Sequence, residues 1–155
     1  MAKRYWLLKS DPSTFGWSDL ERSPGRRTVW DGIRNHQARN YLRDDVRVGD
    51  GALFYHSQSE KAVVGTCTVT KGAFPDPTQF DRKHPAYDPG SERADPRWFA
   101  IEITLAARLS SPVTLDALRA VPGLARMALL QRGSRLSVQP VTREEWEIVV
   151  RMGRG

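Results

Sequence analysis

Cysteine is almost absent from this chain. The single one among 155 residues, Cys67, has no partner for an internal disulfide, so nothing argues for an oxidising compartment and the cytosol is the expected location. Histidine is scarce too: His36, His56 and His84 lie in separate segments, with no metal-ligand spacing among themselves or with Cys67. No apolar run approaches the ~20 residues of a membrane helix. The basic start Met1-Ala2-Lys3-Arg4 is followed by neither the apolar stretch nor the cleavage site of a signal peptide. There is no Gly-rich phosphate loop after a strand and no G-x-S-x-G turn. These absences exclude disulfide scaffolds, structural zinc modules, P-loop enzymes and the α/β-hydrolase design, and they lead us to expect no cofactor and no metal. Asp76, Asp81, Asp88 and Asp95 share one stretch and could in principle hold a divalent ion, but their spacing matches no calcium loop.

Positive charge, by contrast, is plentiful. Lys and Arg total 24 against 18 Asp and Glu, with a net charge of +6. Most of the cations are arginine, whose planar fork suits phosphate. The excess lies in the first and last thirds of the chain, the middle being slightly acidic, so a phosphate-facing surface would draw on both ends. A merely solvated basic surface is the alternative.

Periodicity supplies the elements. Residues 4–9 read as a first strand, Trp17–Glu21 as a short helix, and Arg27–Trp30 as a second strand broken by Asp31-Gly32. Ala38, Tyr41 and Leu42 place an amphipathic helix over Arg34–Arg43, ahead of a strand over Ala52–His56. In residues 62–70 Val63, Gly65, Cys67 and Val69 share one face. Trp98–Leu105 alternates in the same way, with Phe99, Ile101 and Ile103 inward and Trp98 on the opposite face. Between these two strands, Phe74–Arg97 is a long Pro- and Asp-rich excursion of a kind that is usually functional or disordered. Beyond it the chain turns helical. Thr114 caps a short helix, a second one around Leu124–Leu130 closes at Gly133, and Leu136–Gln139 is a short strand stopped by Pro140. Thr142-x-x-Glu145 is a capping box opening a last helix. One domain over 1–155, of α+β class with a strongly curved sheet or small barrel, is expected.

Two features hint at a ligand. Trp30 ends a strand just before Asp31-Gly32 and a helix start, offering a stacking face beside backbone N–H donors. Arg135, Ser137 and Gln139 alternate with apolar Leu136 and Val138, so three polar groups point away from the core. For any single tryptophan, ordinary packing remains the plainer reading.

The ordered motifs Tyr5-Trp6-Leu7-Leu8-Lys9-Ser10-Asp11-Pro12, Val29-Trp30-Asp31-Gly32-Ile33-Arg34-Asn35, Gln37-Ala38-Arg39-Asn40, Val48-Gly49-Asp50 and Leu53-Phe54-Tyr55-His56-Ser57 resemble the EVE-domain family of the PUA-like superfamily. So do Phe74-Pro75-Asp76-Pro77-Thr78, Asp95-Pro96-Arg97-Trp98 and the run Arg132–Val141, so that the resemblance covers essentially the whole chain. It implies a PUA-like curved sheet or small β-barrel flanked by helices, with the YTH readers of N6-methyladenosine as structural cousins.

It further implies a non-enzymatic reader of a modified nucleobase in RNA or DNA, with nucleic acid as partner and the protein acting as a monomer off the membrane. Trp30 would be one cage wall and Trp98 a second. Lys9, Ser10, Asn35, Tyr55, His56 and Ser57 would line the cleft, with Arg135 and Ser137 contributing and Arg34, Arg39 and Arg132 holding phosphates. His36 stands where relatives often carry Tyr and could alter pocket polarity. As a preformed wall, Trp30 should be replaceable by Ala at little cost to the fold. Two alternatives stay open: a nuclease-like enzyme using His56 in the same cleft, and a binder of free nucleosides.

Overall fold

The computed structural model describes residues 3–132 and 135–154; the helix closure expected at Gly133, and Gly133-Ser134 of the last motif, lie outside the described residues. Among these residues six strands form a single mixed sheet: β1 (Tyr5–Ser10), β2 (Arg27–Trp30), β3 (Gly51–His56), β4 (Ala62–Pro75), β5 (Phe99–Thr114) and β6 (Val138–Val141). Their order is β2-β5-β4-β3-β1-β6, with β1 and β3 parallel and every other pair antiparallel. Among the described residues four α-helices accompany the sheet: α1 (Trp17–Arg22), α2 (His36–Asn40), α3 (Leu115–Arg119) and α4 (Arg143–Gly153). This is the expected α+β class.

Alternation along the central strands sorts the core into two bodies. Trp6 and Leu8 of β1 and Ala52 and Phe54 of β3 face a cluster with Trp17, Leu20, Trp30, Ile101 and Ile103. Leu7, Leu53 and Tyr55 face the opposite side, against Leu118 of α3 and Val149 of α4. A strand covered on both faces can be apolar at every position, and β3 is buried along its whole length.

Register shifts along β4 and β5 bend both strands. Curl is what positions the site. β1 and β2 are separated by three intervening strands in sheet order, yet Lys9 and Ser10 line the same cleft as Trp30. The same shifts correct one expectation. Val63 was expected to share a face with Cys67 and Val69, but it lies on the α3 side while Val64 joins Cys67 and Val69. An irregularity between Val63 and Gly65 and another between Thr66 and Cys67 switch the parity, which a strict period of two cannot foresee.

Other departures have equally local causes. β5 continues to Thr114, well past the expected end at Leu105, because β4 pairs with it as far as Val113 and Thr114. Pro140 does not stop its strand. It sits inside β6, opposite Trp6, and is tolerated because β6 is an edge strand that needs no donor on its outer side. Gln139, expected to point outward, is buried and donates to the Leu136 carbonyl at 3.0 Å. The helix expected over Arg34–Arg43 begins only at His36, capped by Asn35, and passes into a π-helical turn at Tyr41–Asp45. In place of a helix around Leu124–Leu130 stand two 3₁₀ turns, Pro122–Leu124 and Ala128–Leu130. The caps behave as expected: the Thr114 side chain accepts from Ala117 N–H, and Thr142 and Glu145 make the reciprocal box at the start of α4.

Candidate nucleic-acid interface

Two adjoining concavities open where β1, β2 and β3 end. The first, about 400 Å³, is an aromatic cleft walled by Trp30, Phe15 and Ile33, with Lys9, Ser10 and Asp31 around it. The Phe15 and Trp30 rings meet nearly perpendicular, centroids 6.4 Å apart, so they make a corner and not a parallel slot. A flat ring entering here can lie against one aromatic while its rim touches the other. Trp30 is held from behind by Phe54, edge to face at 5.6 Å, and is only 8% exposed. The indole is therefore both cleft wall and core. That corrects the expectation that Trp30→Ala would spare the fold: removing it opens the packing around Phe54 as well.

Ser10 does not face the cleft with a free hydroxyl proton, because its Oγ donates to the Phe15 carbonyl and fixes the loop that carries this second wall. Of the two carboxylates at the cleft, Asp11 accepts from both the amide and the hydroxyl of Ser13, which hold its pKa below the usual carboxylate range. Asp31 has the opposite shift. Partial burial, reinforced by the nearby Asp76 carboxylate, holds it above that range.

The second concavity, about 580 Å³, is a basin with five cations in its walls: Lys9, Lys61, Arg119, Arg132 and Arg135. Among the described residues no carboxylate lines it, and Tyr55, Ser57 and Gln58 add polar groups. Four separate segments supply the charges: the end of β1, the β3–β4 turn, α3 and the stretch before β6. In the turn, Gln58 and Lys61 both adopt positive φ, 67° and 48°, conformations that L-residues seldom hold outside functional or tightly determined loops. Lys9 lines both concavities, and partial burial lowers its pKa from the ordinary lysine value.

The expected site residues divide accordingly. Trp30, Lys9 and Ser10 meet at the aromatic cleft, while Lys9, Tyr55, Ser57, Arg132 and Arg135 meet at the basin. Ser137 is half-buried, and its carbonyl accepts from Lys9 N–H at 2.9 Å, positioning that lysine. The Asn35 side chain is taken up as the cap of α2, accepting from Ala38 N–H at 3.0 Å. His56, next to Tyr55 and therefore on the other face of the strand, accepts from Trp17 N–H at its Nε2 (3.0 Å). Its proton then sits on Nδ1, 2.7 Å from Glu60. With both ring nitrogens engaged and neither concavity reaching it, His56 supplies no general base to the cleft.

Trp98, expected as a second cage wall, lies elsewhere. It precedes β5, is 6% exposed, and donates from Nε1 to Asp88 at 2.7 Å. His36 stacks on it at 4.9 Å, and the Arg34 and Arg39 guanidinium groups lie 5.3 and 5.8 Å from its ring centre. His36 therefore modifies Trp98 and is not among the cleft's walls. Arg34, expected on phosphate, is an internal strut: it bonds Asp76, Thr78 Oγ1 and the carbonyls of Ile33 and Ala86. Arg39 is tied to Asn40 and the Arg97 carbonyl.

These bonds explain the long excursion. Buried Asp76 accepts from Gly32 N–H, Arg34 and Thr78; burial alone would raise its pKa, but the hydrogen bonds outweigh that and hold it low. Gln79, fully buried, ties the segment to the Trp98 backbone. The loop is a buttress that fixes Trp30-Asp31-Gly32 from behind, where Gly32 at φ 76° makes the turn. The sequence reading missed Phe15, Asp31, Lys61 and Arg119. Phe15 left one trace, a bulky aromatic in an otherwise polar turn; the others had none, since only tertiary packing brings them together.

Comparison with known proteins agrees with this architecture. The model of the EVE domain matches residues 4–152. Thymocyte nuclear protein 1 of Mus musculus is 36% identical over 163 residues, covering 94% of this chain and 72% of the relative. Human THYN1, solved in complex with 5-methylcytosine-containing DNA, superposes with a TM-score of 0.93 at 34% identity, over 99% of each chain. A protein from Pseudomonas syringae superposes at 0.90 with 39% identity, over 96% of this chain and 99% of its own. Sequence and fold together place the chain in the EVE-domain family.

Proposed function

We propose that this protein is a non-enzymatic reader of a modified nucleobase within a nucleic-acid strand. The base lies in the Trp30–Phe15 cleft, and neighbouring phosphates lie in the basin of Lys9, Lys61, Arg119, Arg132 and Arg135. The observation that carries this reading is the pairing of an aromatic corner with a five-cation basin through one shared residue, Lys9. The likeness to human THYN1 crystallised with 5-methylcytosine-containing DNA supports it and favours a methylated cytosine as the first ligand to try.

The energetics fit a reader. Lifting a base out of its stack costs a few kcal/mol, and stacking on an aromatic returns about 1–3 kcal/mol. A buried methyl adds about 0.8 kcal/mol, which separates methylated from plain cytosine by only several-fold. The phosphate contacts supply the remaining affinity and make it fall steeply with salt. The engaged His56 weighs against the nuclease alternative. A lone buried thiol suits a reducing compartment, and we take the protein to act there as a monomer.

The test is a titration with single-stranded oligonucleotides carrying cytosine, 5-methylcytosine or an abasic site at one position, repeated at two salt concentrations. Tighter binding of the methylated strand, with affinity dropping several-fold or more at higher salt, is expected. Equal affinity for the abasic strand would remove the cleft from the reading. Salt-independent binding of the free nucleoside would instead favour the small-ligand alternative.

A further inference from the structure

We infer that the Asp31 side chain reads the edge of the seated base, accepting a hydrogen bond from an exocyclic amino group, so that the cleft takes an amino-bearing ring and rejects its oxo counterpart. This rests on the reading of the cleft as a base site and narrows it to a substrate class.

The argument starts from what the cleft offers. Its polar groups are Lys9, Ser10, Asp11, Thr14, Thr28 and Asp31. The Ser10 proton is spent on the Phe15 carbonyl, and Asp11 is turned onto Ser13. Asp31 differs from both. Among the described residues only its own backbone N–H bonds the carboxylate, while the charges of Arg34 and His84 act on it without a hydrogen bond. Yet it follows directly on Trp30, the stacking wall, and cannot swing away freely. Gly32 N–H is held by Asp76 at 2.8 Å and Arg34 by the same carboxylate at 3.0 Å, which pins the turn on its C-terminal side. The carboxyl is exposed at the cleft's rim and, beyond its own amide, keeps acceptor capacity for a ligand donor.

Base chemistry identifies that donor. A ring lying against Trp30 turns its edge toward the residues at the cleft's rim, and Asp31 is the acceptor there. Cytosine and adenine present an amino group on the pairing edge; thymine and uracil present a carbonyl at the same place. Facing an oxo group, the carboxylate would meet a second acceptor and lose its hydrogen bond. An aspartate accepting from the cytosine N4 amine is a recurrent pairing for the same geometric reason.

5-Methylcytosine and thymine provide the test, because they share the ring and the methyl group and differ only along the edge, in the 4-substituent and the N3 proton. Two otherwise identical single strands, one with each base, are titrated against the parent protein and Asp31→Asn, with an abasic strand as baseline and a thermal melt of both proteins. The parent should prefer 5-methylcytosine at least fivefold, as expected for one hydrogen bond lost and one acceptor left facing another. In Asp31→Asn the side-chain amide can turn to donate to the oxo group, so the preference should shrink to about twofold or less with an unchanged melt. A parent that binds both bases equally, but above the abasic strand, would overturn the role of Asp31 and leave the base-reading function standing. Retention of the full preference in Asp31→Asn would do the same. Binding of neither base above the abasic strand would remove the function and this inference together.

Discussion

Trp30 and Trp98 invite comparison. Trp30 closes β2 and Trp98 precedes β5, both are buried at 8% and 6% exposure, and both lie near arginines in the sequence. Their surroundings separate them. Trp98 is stacked by His36, approached by two guanidinium groups and hydrogen-bonded through its indole to Asp88. Trp30 meets its aromatic neighbours edge-on and keeps a border on open space. What makes an aromatic available to a ligand is therefore how its faces are occupied; fractional exposure hardly differs between the two.

The sharpest way to break that comparison is Trp98→Ala. It should cost about 3–5 kcal/mol of stability, as for a large core truncation, because Asp88, Arg34 and Arg39 all lose their common partner. Base affinity of the folded fraction should stay at the parental level. Denaturant unfolding and a titration at low temperature measure the two effects separately, and a loss of base selectivity would return Trp98 to the site.

Asp76→Asn comes next, at about 3 kcal/mol, since it takes the charge from a buried pair. The same carboxylate gives a pH signature. Its folded pKa is depressed, so its contribution is whole above the ordinary aspartate value of about 3.9 and is lost as the pH falls through the lower, folded value. Melting curves of the parent should drop across that acid window, and those of the Asn variant should drop less. A parallel fall in both would mean that other carboxylates govern the acid limb.

Trp30→Phe separates wall from core. The smaller ring should retain most packing, within about 1–2 kcal/mol, while binding to a 5-methylcytosine strand weakens by up to about 1–3 kcal/mol as stacking area is lost. Unchanged affinity would show that the base rests on Phe15 alone. The smallest expected effect belongs to Arg135→Ala, which is exposed in the basin. Its melt should match the parent, and the slope of log affinity against log salt should fall by about one. A slope identical to the parent's would place the phosphates elsewhere.

How much of this was legible in the sequence depends on the range of the interaction. Arg27–Trp30 is read from its own residues, and the Thr142–Glu145 box is a contact between neighbours, so both appear in the structure as expected. Lys9, Tyr55, Ser57, Arg132 and Arg135 could be nominated from motif and charge, although nothing in the chain said that they would meet in one basin. Val63 changed faces because bulges alter parity, and those are settled by partner strands; Gln139 kept its alternate face, opposite Leu7, but that face is covered as well. The buttressing role of the loop before Trp98 was illegible for a related reason. Its proline and aspartate content suggests solvent, whereas Asp76 and Gln79 are buried by bonds reaching back to Gly32, Arg34 and Trp98. Phe15 and Asp31 belong to the same category: a cleft wall is defined by what faces it across empty space.

Lys9 has a further consequence, because it borders the aromatic cleft and the cationic basin at once. When base and phosphate belong to one strand, seating the first holds the second at a high effective concentration, and the second contact forms without a new encounter from solution. A free nucleoside and a free phosphate have no such tether and would compete for the attention of the same ammonium group. Chelation of this kind favours a polymer over the mixture of its parts even when each individual contact is weak, and it makes the distance along the backbone between base and phosphate a ruler that the ligand must match.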